Sequence, residues 1–233
     1  MRIKPGFRTD QSSFQTIIRK IHRLPSLVTM VLLAGLVAVL SSQSVAAQTR
    51  TLIAFGDSLT AGLGVGPTDS FPARLQAALR ARGFDVVVQN AGVSGDTTAA
   101  GLARLDWALA EEASAVIVAL GANDALRGLP PAEAEKNLDG IVGQITGRGL
   151  PVLVAGMLAP RNLGPEYAAR YDGLFERVAK KHAALYYPFF LKDVATNPAL
   201  NQSDGLHPNP AGVAVIVENI LPLVETLLSR IKP

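Results

Sequence analysis

The chain has no cysteine among its 233 residues. Disulfides, thiol nucleophiles and cysteine-ligated metals are therefore excluded, and stability has to come from a hydrophobic core. Histidine is scarce too, with three in all. His22 lies in an N-terminal leader, which leaves His182 and His207 too few to assemble a histidine-rich metal site. No tight acidic cluster offers an all-carboxylate site, and no Walker pattern is present to cradle phosphates. The run "GLGVGP" (62–67) begins like a dinucleotide fingerprint, but Pro67 stands where the third glycine would be. No metal and no cofactor are expected. Internal repeats and low-complexity linkers are missing as well.

Long hydrophobic runs are also few. One, "SLVTMVLLAGLVAVL" (26–40), is free of charge and follows a segment carrying Arg2, Lys4, Arg8, Arg19, Lys20 and Arg23 against the single acid Asp10. The small residues of "SSQSVAAQ" come next. This is the n-region, h-region and cleavage site of a secretory signal peptide over residues 1–47, cut after Ala47. The apolar run falls short of the roughly 20 residues a spanning helix needs, so no permanent membrane anchor is expected after cleavage. No twin arginine precedes the run and no cysteine follows it for lipidation. The expectation is general export, to the periplasm or beyond the cell.

Removing the leader changes the charge. It holds six of the 22 basic residues and one of the 19 acidic, leaving 16 and 18 and a net charge near −2. The positive balance of the whole chain thus belongs to the leader and gives no support for nucleic-acid binding. Residues 48–233 suit one domain with a sizeable core.

Within that domain, short apolar runs alternate with amphipathic ones. "TLIAF" (51–55), "DVVVQ" (85–89), "SAVIVAL" (114–120) and "LPVLVAG" (150–156) are rich in β-branched residues and nearly continuous in apolarity, as in parallel strands covered on both faces. A weaker fifth strand falls near 185–188. Ser70 is placed to cap a helix with Pro72 in its first turn, ending at Gly83. Asp96 or Thr97 caps the next, running through "TAAGLARLDWALAEEA" (98–113). Pro130 and Pro131 open a third. Pro165 opens a fourth, whose inner face carries Tyr167, Tyr171, Leu174, Phe175 and Val178. A last helix follows Pro210, with a stripe of Val213, Val217, Ile220, Leu221, Val224 and Leu228. The alternation predicts an α/β domain, a three-layer α/β/α sandwich on a five-stranded, mainly parallel sheet with right-handed crossovers.

Ligands in such domains bind beyond the carboxyl ends of the strands. The loops predicted there are "GDSLTAGLGVG", "NAGVSGDT", "GANDALRG" and "MLAPRNLG", with "NQSDGLHPNP" before the last helix. A serine such as Ser58 needs a base to act as a nucleophile. His182, beside two lysines at a helix end, reads as a solvated or dipole-stabilising residue. His207 lies three residues after Asp204 in a loop bent by Gly205 and Pro208. A carboxylate on one ring nitrogen would leave the other free to take the serine proton. A surface histidine in an Asx-turn is the plain alternative. Donors for an oxyanion are at hand in the backbone N–H of Ser58, the N–H of Gly95 just before a helix start, and the amide of Asn123. Taken singly, Gly95 also reads as a turn residue and Asn123 as a loop cap. The pairs Glu133 with Glu135 and Glu111 with Glu112 read as solvated helical faces, not an acid–base pair.

Four blocks in order, "FGDSLTAG", "NAGVSGDTTAAGLARL", "LGANDALRG" and "DGLHPN", resemble the SGNH hydrolases, also called GDSL-type esterases and lipases. The connecting "LAPRNLGPEYAARYDGLF" and "SGDTTAAGLARL" look most like the thioesterase I, arylesterase and lysophospholipase branch. The resemblance implies a flavodoxin-like sheet, Ser58 as nucleophile, His207 as base and Asp204 as its partner. It implies an oxyanion hole of Ser58, Gly95 and Asn123. The substrate it implies is a small acyl-ester or lipid-like molecule: aryl and short or medium acyl esters, with thioesters or lysophospholipids. One departure is Ala122, where that branch has glycine, which bears on chain-length preference. Two other readings stand beside this one: a polysaccharide O-acetyl esterase of the same fold, and an inactive α/β binding module.

Overall fold

Leu52, Ile53, Ala54 and Phe55 are almost wholly buried, as a strand covered on both faces must be. They form the middle of β1 (Arg50–Gly56) in the computed structural model, which describes residues 49–109 and 112–232. The expected signal peptide, 1–47, lies outside the described residues, as does Glu111.

The remaining strands are β2 (Val86–Gly92), β3 (Ala115–Ala119), β4 (Val152–Ala155) and β5 (Leu185–Tyr187). They form one sheet in the order β2-β1-β3-β4-β5, with every pair parallel. The register aligns Gly56 with Gly92 and Ala119, Val118 with Val154, and Ala155 with Tyr187, so all five strands end at one edge. The strand order reverses between β1 and β3, the switch point at which ligands bind in such sheets.

The α-helices among the described residues are α1 (Ser58–Ala61), α2 (Phe71–Ala81), α3 (Thr98–Ala108), α4 (Ala122–Leu126), α5 (Pro131–Gly147), α6 (Pro165–Asp172), α7 (Leu174–Lys181) and α8 (Pro210–Ser229). Helix α2 packs against α8, while α5 packs against α3 and α7. Right-handed crossovers on this strand order place helices in two such groups. Helix α8 is long and apolar enough to cross a membrane by length and composition, yet its stripe, including Val213, Ile220, Val224 and Leu228, is buried in the core.

Four local expectations are corrected. The Ser70 hydroxyl does not cap α2; it donates to Pro67 O at 3.0 Å, closing a 3₁₀ turn. Helix α3 stops at Ala108 rather than 113, because Ser114 is already engaged with β1: its N–H donates to Thr51 O, and its Oγ accepts from Thr51 N. Glu112 is therefore exposed in a connection, not on a helical face. The helix expected after Pro165 is broken at Gly173 into α6 and α7, and the Asp172 carboxylate ending α6 is turned to Ala159 N and Arg161. Its stripe survives the break, since Tyr171, Leu174, Phe175 and Val178 are all buried. Finally, β2 is not covered on both faces. It is an edge strand on which Val86 and Val88 are buried and Val87 is exposed.

Candidate active site

The chain leaves β1 at Gly56 and turns at once into α1. Asp57 caps that short helix, its Oδ1 accepting from Leu59 N at 3.0 Å. Ser58 is the first helical residue, so its N–H has no intrahelical acceptor. Its Oγ lies 2.9 Å from His207 Nε2.

His207 is placed by the loop before α8, and Asp204 places it there. Asp204 Oδ1 accepts from Leu206 N at 2.9 Å and His207 N at 3.0 Å, while Oδ2 lies 2.6 Å from His207 Nδ1. The His207 backbone N–H, then its ring, then the Leu206 N–H hold the Asp204 carboxyl well below the usual carboxylate range. An ionised carboxylate only accepts, so the ring proton belongs on Nδ1 and the Nε2 lone pair faces the serine O–H. Ser58, His207 and Asp204 thus form one hydrogen-bonded line.

The loops after β2 and β3 meet beside it. Gly95 adopts φ +87°, a left-handed conformation that glycine takes without strain. Asp96 O, in the next peptide, accepts from Asn123 Nδ2 at 2.9 Å. The same nitrogen is 3.5 Å from Asp57 Oδ2, too far for a strong bond, which leaves one amide hydrogen available to a substrate oxygen. Arg127 Nη2 donates to Gly95 O at 2.9 Å and holds that peptide in place. The N–H groups of Ser58 and Gly95 donate to no acceptor among the described residues.

Other polar candidates stand apart. His182 Nε2 is 2.8 Å from Asp139 Oδ1 at the far end of α7, which feeds the opposite edge of the sheet. Glu135 is engaged by the Arg177 guanidinium through both oxygens. Among the described residues, no three His, Asp or Glu side chains converge to hold a metal.

Several residues here were not singled out from sequence. Asp57 is fully buried, and desolvation pushes its carboxyl up to about 7 despite the Leu59 N–H and His207, which favour the charged form. Arg104 Nε lies 2.5 Å from Asp96 Oδ2, its Nη2 donates to Gly56 O, and its guanidinium sits 4.4 Å from the Phe55 ring centre. Buried Asp124 accepts from Thr98 N and Thr98 Oγ1, tying α4 to the start of α3. Each falls inside one of the quoted blocks, and a charged residue in an otherwise apolar or glycine-rich block was the available signal.

Comparison with known proteins covers the same stretch. The GDSL-like Lipase/Acylhydrolase family matches residues 54–215. Esterase TesA of Pseudomonas aeruginosa is 41% identical over 199 residues, covering 84% of this chain and 98% of that protein. An arylesterase of Vibrio mimicus is 36% identical over 190 residues, covering 81% of this chain and 95% of its own length. The crystal structure of AlinE4, an SGNH-hydrolase family esterase, is 46% identical with a TM-score of 0.66, covering 77% of this chain and 96% of that one. With the family pattern running from the middle of β1 into α8, the chain belongs to the GDSL-like lipase/acylhydrolase family, the SGNH hydrolases.

Proposed function

We propose that this chain is an exported serine esterase that cleaves carboxylic esters through an acyl-serine intermediate. The observation that carries the reading is the Ser58–His207–Asp204 line. The Ser58 hydroxyl gives its proton to His207 Nε2 as Oγ attacks the ester carbonyl, and the imidazolium formed is balanced by ionised Asp204. The carbonyl oxygen, now negative, is received by the N–H groups of Ser58 and Gly95 and the amide of Asn123. As the C–O bond breaks, the leaving alkoxide takes the proton from His207. Water then gives a proton to His207 and attacks the acyl-serine, and Ser58 recovers that proton when the acid departs. This route calls on no cofactor.

The preferred substrate carries an apolar acyl or aryl group. Among the described residues, six of the eight exposed large hydrophobics, Leu63, Val93, Leu126, Leu158, Leu163 and Leu206, lie in the connections that follow β1 to β4 or in the loop before α8. An acetyl group would need no such rim, and this favours the ester reading over a polysaccharide O-acetyl esterase. Residues 1–47 serve as the cleaved signal peptide and 48–233 as the hydrolase domain, working in the periplasm or outside the cell.

Fluorophosphonate labelling tests the mechanism without a guess at the substrate. One adduct is expected, on Ser58, with none on Ser58→Ala and little on His207→Ala. Ser58→Ala should keep its fold and lose nearly all turnover of aryl and acyl esters. Normal turnover by that variant would overturn the reading, and an unlabelled, folded wild-type protein would favour a binding module.

A further inference from the structure

Ser58 and His207 are 149 positions apart, one opening α1 and the other in the loop before α8, and the two segments must be held within a hydrogen bond of each other. The Asp204 contacts orient the imidazole within its own loop but do nothing to hold that loop against α1. A short chain of hydrogen bonds does so. Ser58 O accepts from Leu63 N at 3.2 Å, and Leu63 O accepts from Gln202 Nε2 at 2.8 Å. Gln202 N in turn donates to His207 O at 2.8 Å. Three bonds thus join the main chain of Ser58 to that of His207, and the middle one is the Gln202 carboxamide.

The rest of Gln202 is engaged in the same place. Its Nε2 also donates to Pro208 O at 3.0 Å, and its main-chain carbonyl accepts from Gly205 N at 3.0 Å. The amide lies directly over Gly64, where a Cβ would fall 2.0 Å from Gln202 Oε1, and Gly64 has φ +77°. The middle glycine of "GLGVGP", the fragment that begins like a dinucleotide fingerprint without completing one, is the bare surface on which this side chain rests.

We propose that Gln202 is a positioning residue for acyl transfer, a clasp between the nucleophile loop and the histidine loop that sets the Ser58 Oγ–His207 Nε2 separation. The proposal rests on the serine-esterase reading above. The chemistry requires an amide, because one nitrogen has to supply two hydrogens to two carbonyl oxygens. A carboxylate of the same shape would present acceptors to acceptors.

The test measures kcat and KM on an aryl ester, together with the rate of fluorophosphonate labelling, for Gln202→Ala, Gln202→Glu, Gly64→Ala and the double variant Gly64→Ala/Gln202→Ala. Gln202→Ala and Gln202→Glu should each lower kcat and the labelling rate by about 10- to 100-fold, the scale of a displaced reacting group, with KM changed less than about twofold. A packing role would be kept by the isosteric glutamate, so Gln202→Glu decides the matter even if Gln202→Ala folds poorly. Gly64→Ala should be impaired both by displacing the amide and by straining the backbone at φ +77°. The double variant should be far less impaired than the product of the two single effects, since the group that the added methyl would strike is gone. Wild-type labelling and turnover in Gln202→Glu, or fully multiplicative effects in the double variant, would overturn the clasp. Labelling of the wild type away from Ser58 would instead overturn the functional reading, and the clasp with it.

Discussion

Asp57 shows how much one residue can carry. It precedes Ser58, caps α1 and is fully buried, and desolvation raises its carboxyl from 3.8 to about 7. Below pH 3.8 folded and unfolded chains both hold this proton. Between about 4 and 7 the folded chain keeps a proton that the unfolded chain releases, so rising pH favours unfolding and the contribution is lost as pH rises through about 7. Asp57→Asn keeps an oxygen for Leu59 N and removes the titration. Its stability relative to wild type should therefore climb from about pH 4 to about pH 8 in urea unfolding, and parallel pH curves for the two proteins would contradict this. Asn123 acts at the same scale by other means. Its amide is aimed by Asp96 O and donates only weakly to protein at its second hydrogen. Asn123→Ala should cost about 10²–10³ in kcat with the fold retained, as its proposed place in the oxyanion hole requires, measured by steady-state hydrolysis.

At the scale of elements, the helix ends decide where the loops go. Asn209 caps α8 by accepting from Ala211 N and Gly212 N, and its Nδ2 reaches back to Ala199 O and Asn201 O. It thus secures both the start of the longest described helix and the loop that delivers His207. Asn209→Ala should lower stability by about 1–2 kcal/mol, read from the urea midpoint at unchanged m-value, the upper range for a lost N-cap. Caps are also where sequence reading was weakest. Thr97, one of two candidates for the start of α3, accepts from Ala100 N as a cap should, whereas Asp96 turns to Arg104. Ser70, an equally good candidate by residue type, spends its hydroxyl on Pro67 O. Side-chain type offers a cap, but the neighbouring backbone determines which acceptor is nearer.

At the scale of the whole molecule, one arrangement explains the site. Parallel strands that end in register deliver four loops to one edge, and the reversal of strand order between β1 and β3 leaves room there for a ligand. The described residues form this arrangement, and the leader is proposed to act only in export. Expressed from its full gene in a bacterium with a general secretion system, the protein should be recovered outside the cytoplasm with an intact mass that begins at Gln48. A mass retaining residues 26–40 would make that run a membrane anchor instead.

The sequence by itself determined the alternation of strands and helices, because β-branched runs and 3.6-residue stripes record which faces are to be buried. Through its four blocks it also singled out Ser58, Gly95, Asn123, Asp204 and His207, since hydroxyl, imidazole and carboxylate chemistry depends on residue type. Tertiary structure decided the rest. The single exposed face of β2 follows from its place at the sheet edge, and no local pattern records strand order. The high pKa of Asp57 follows from burial beneath residues distant in the chain. The contact of Gln202 with Leu63 O, like that of Ser58 with His207, joins positions about 140 or more residues apart. Local sequence specifies what each segment can bury and which chemistry it can carry, and only the packed sheet brings those segments within hydrogen-bonding distance.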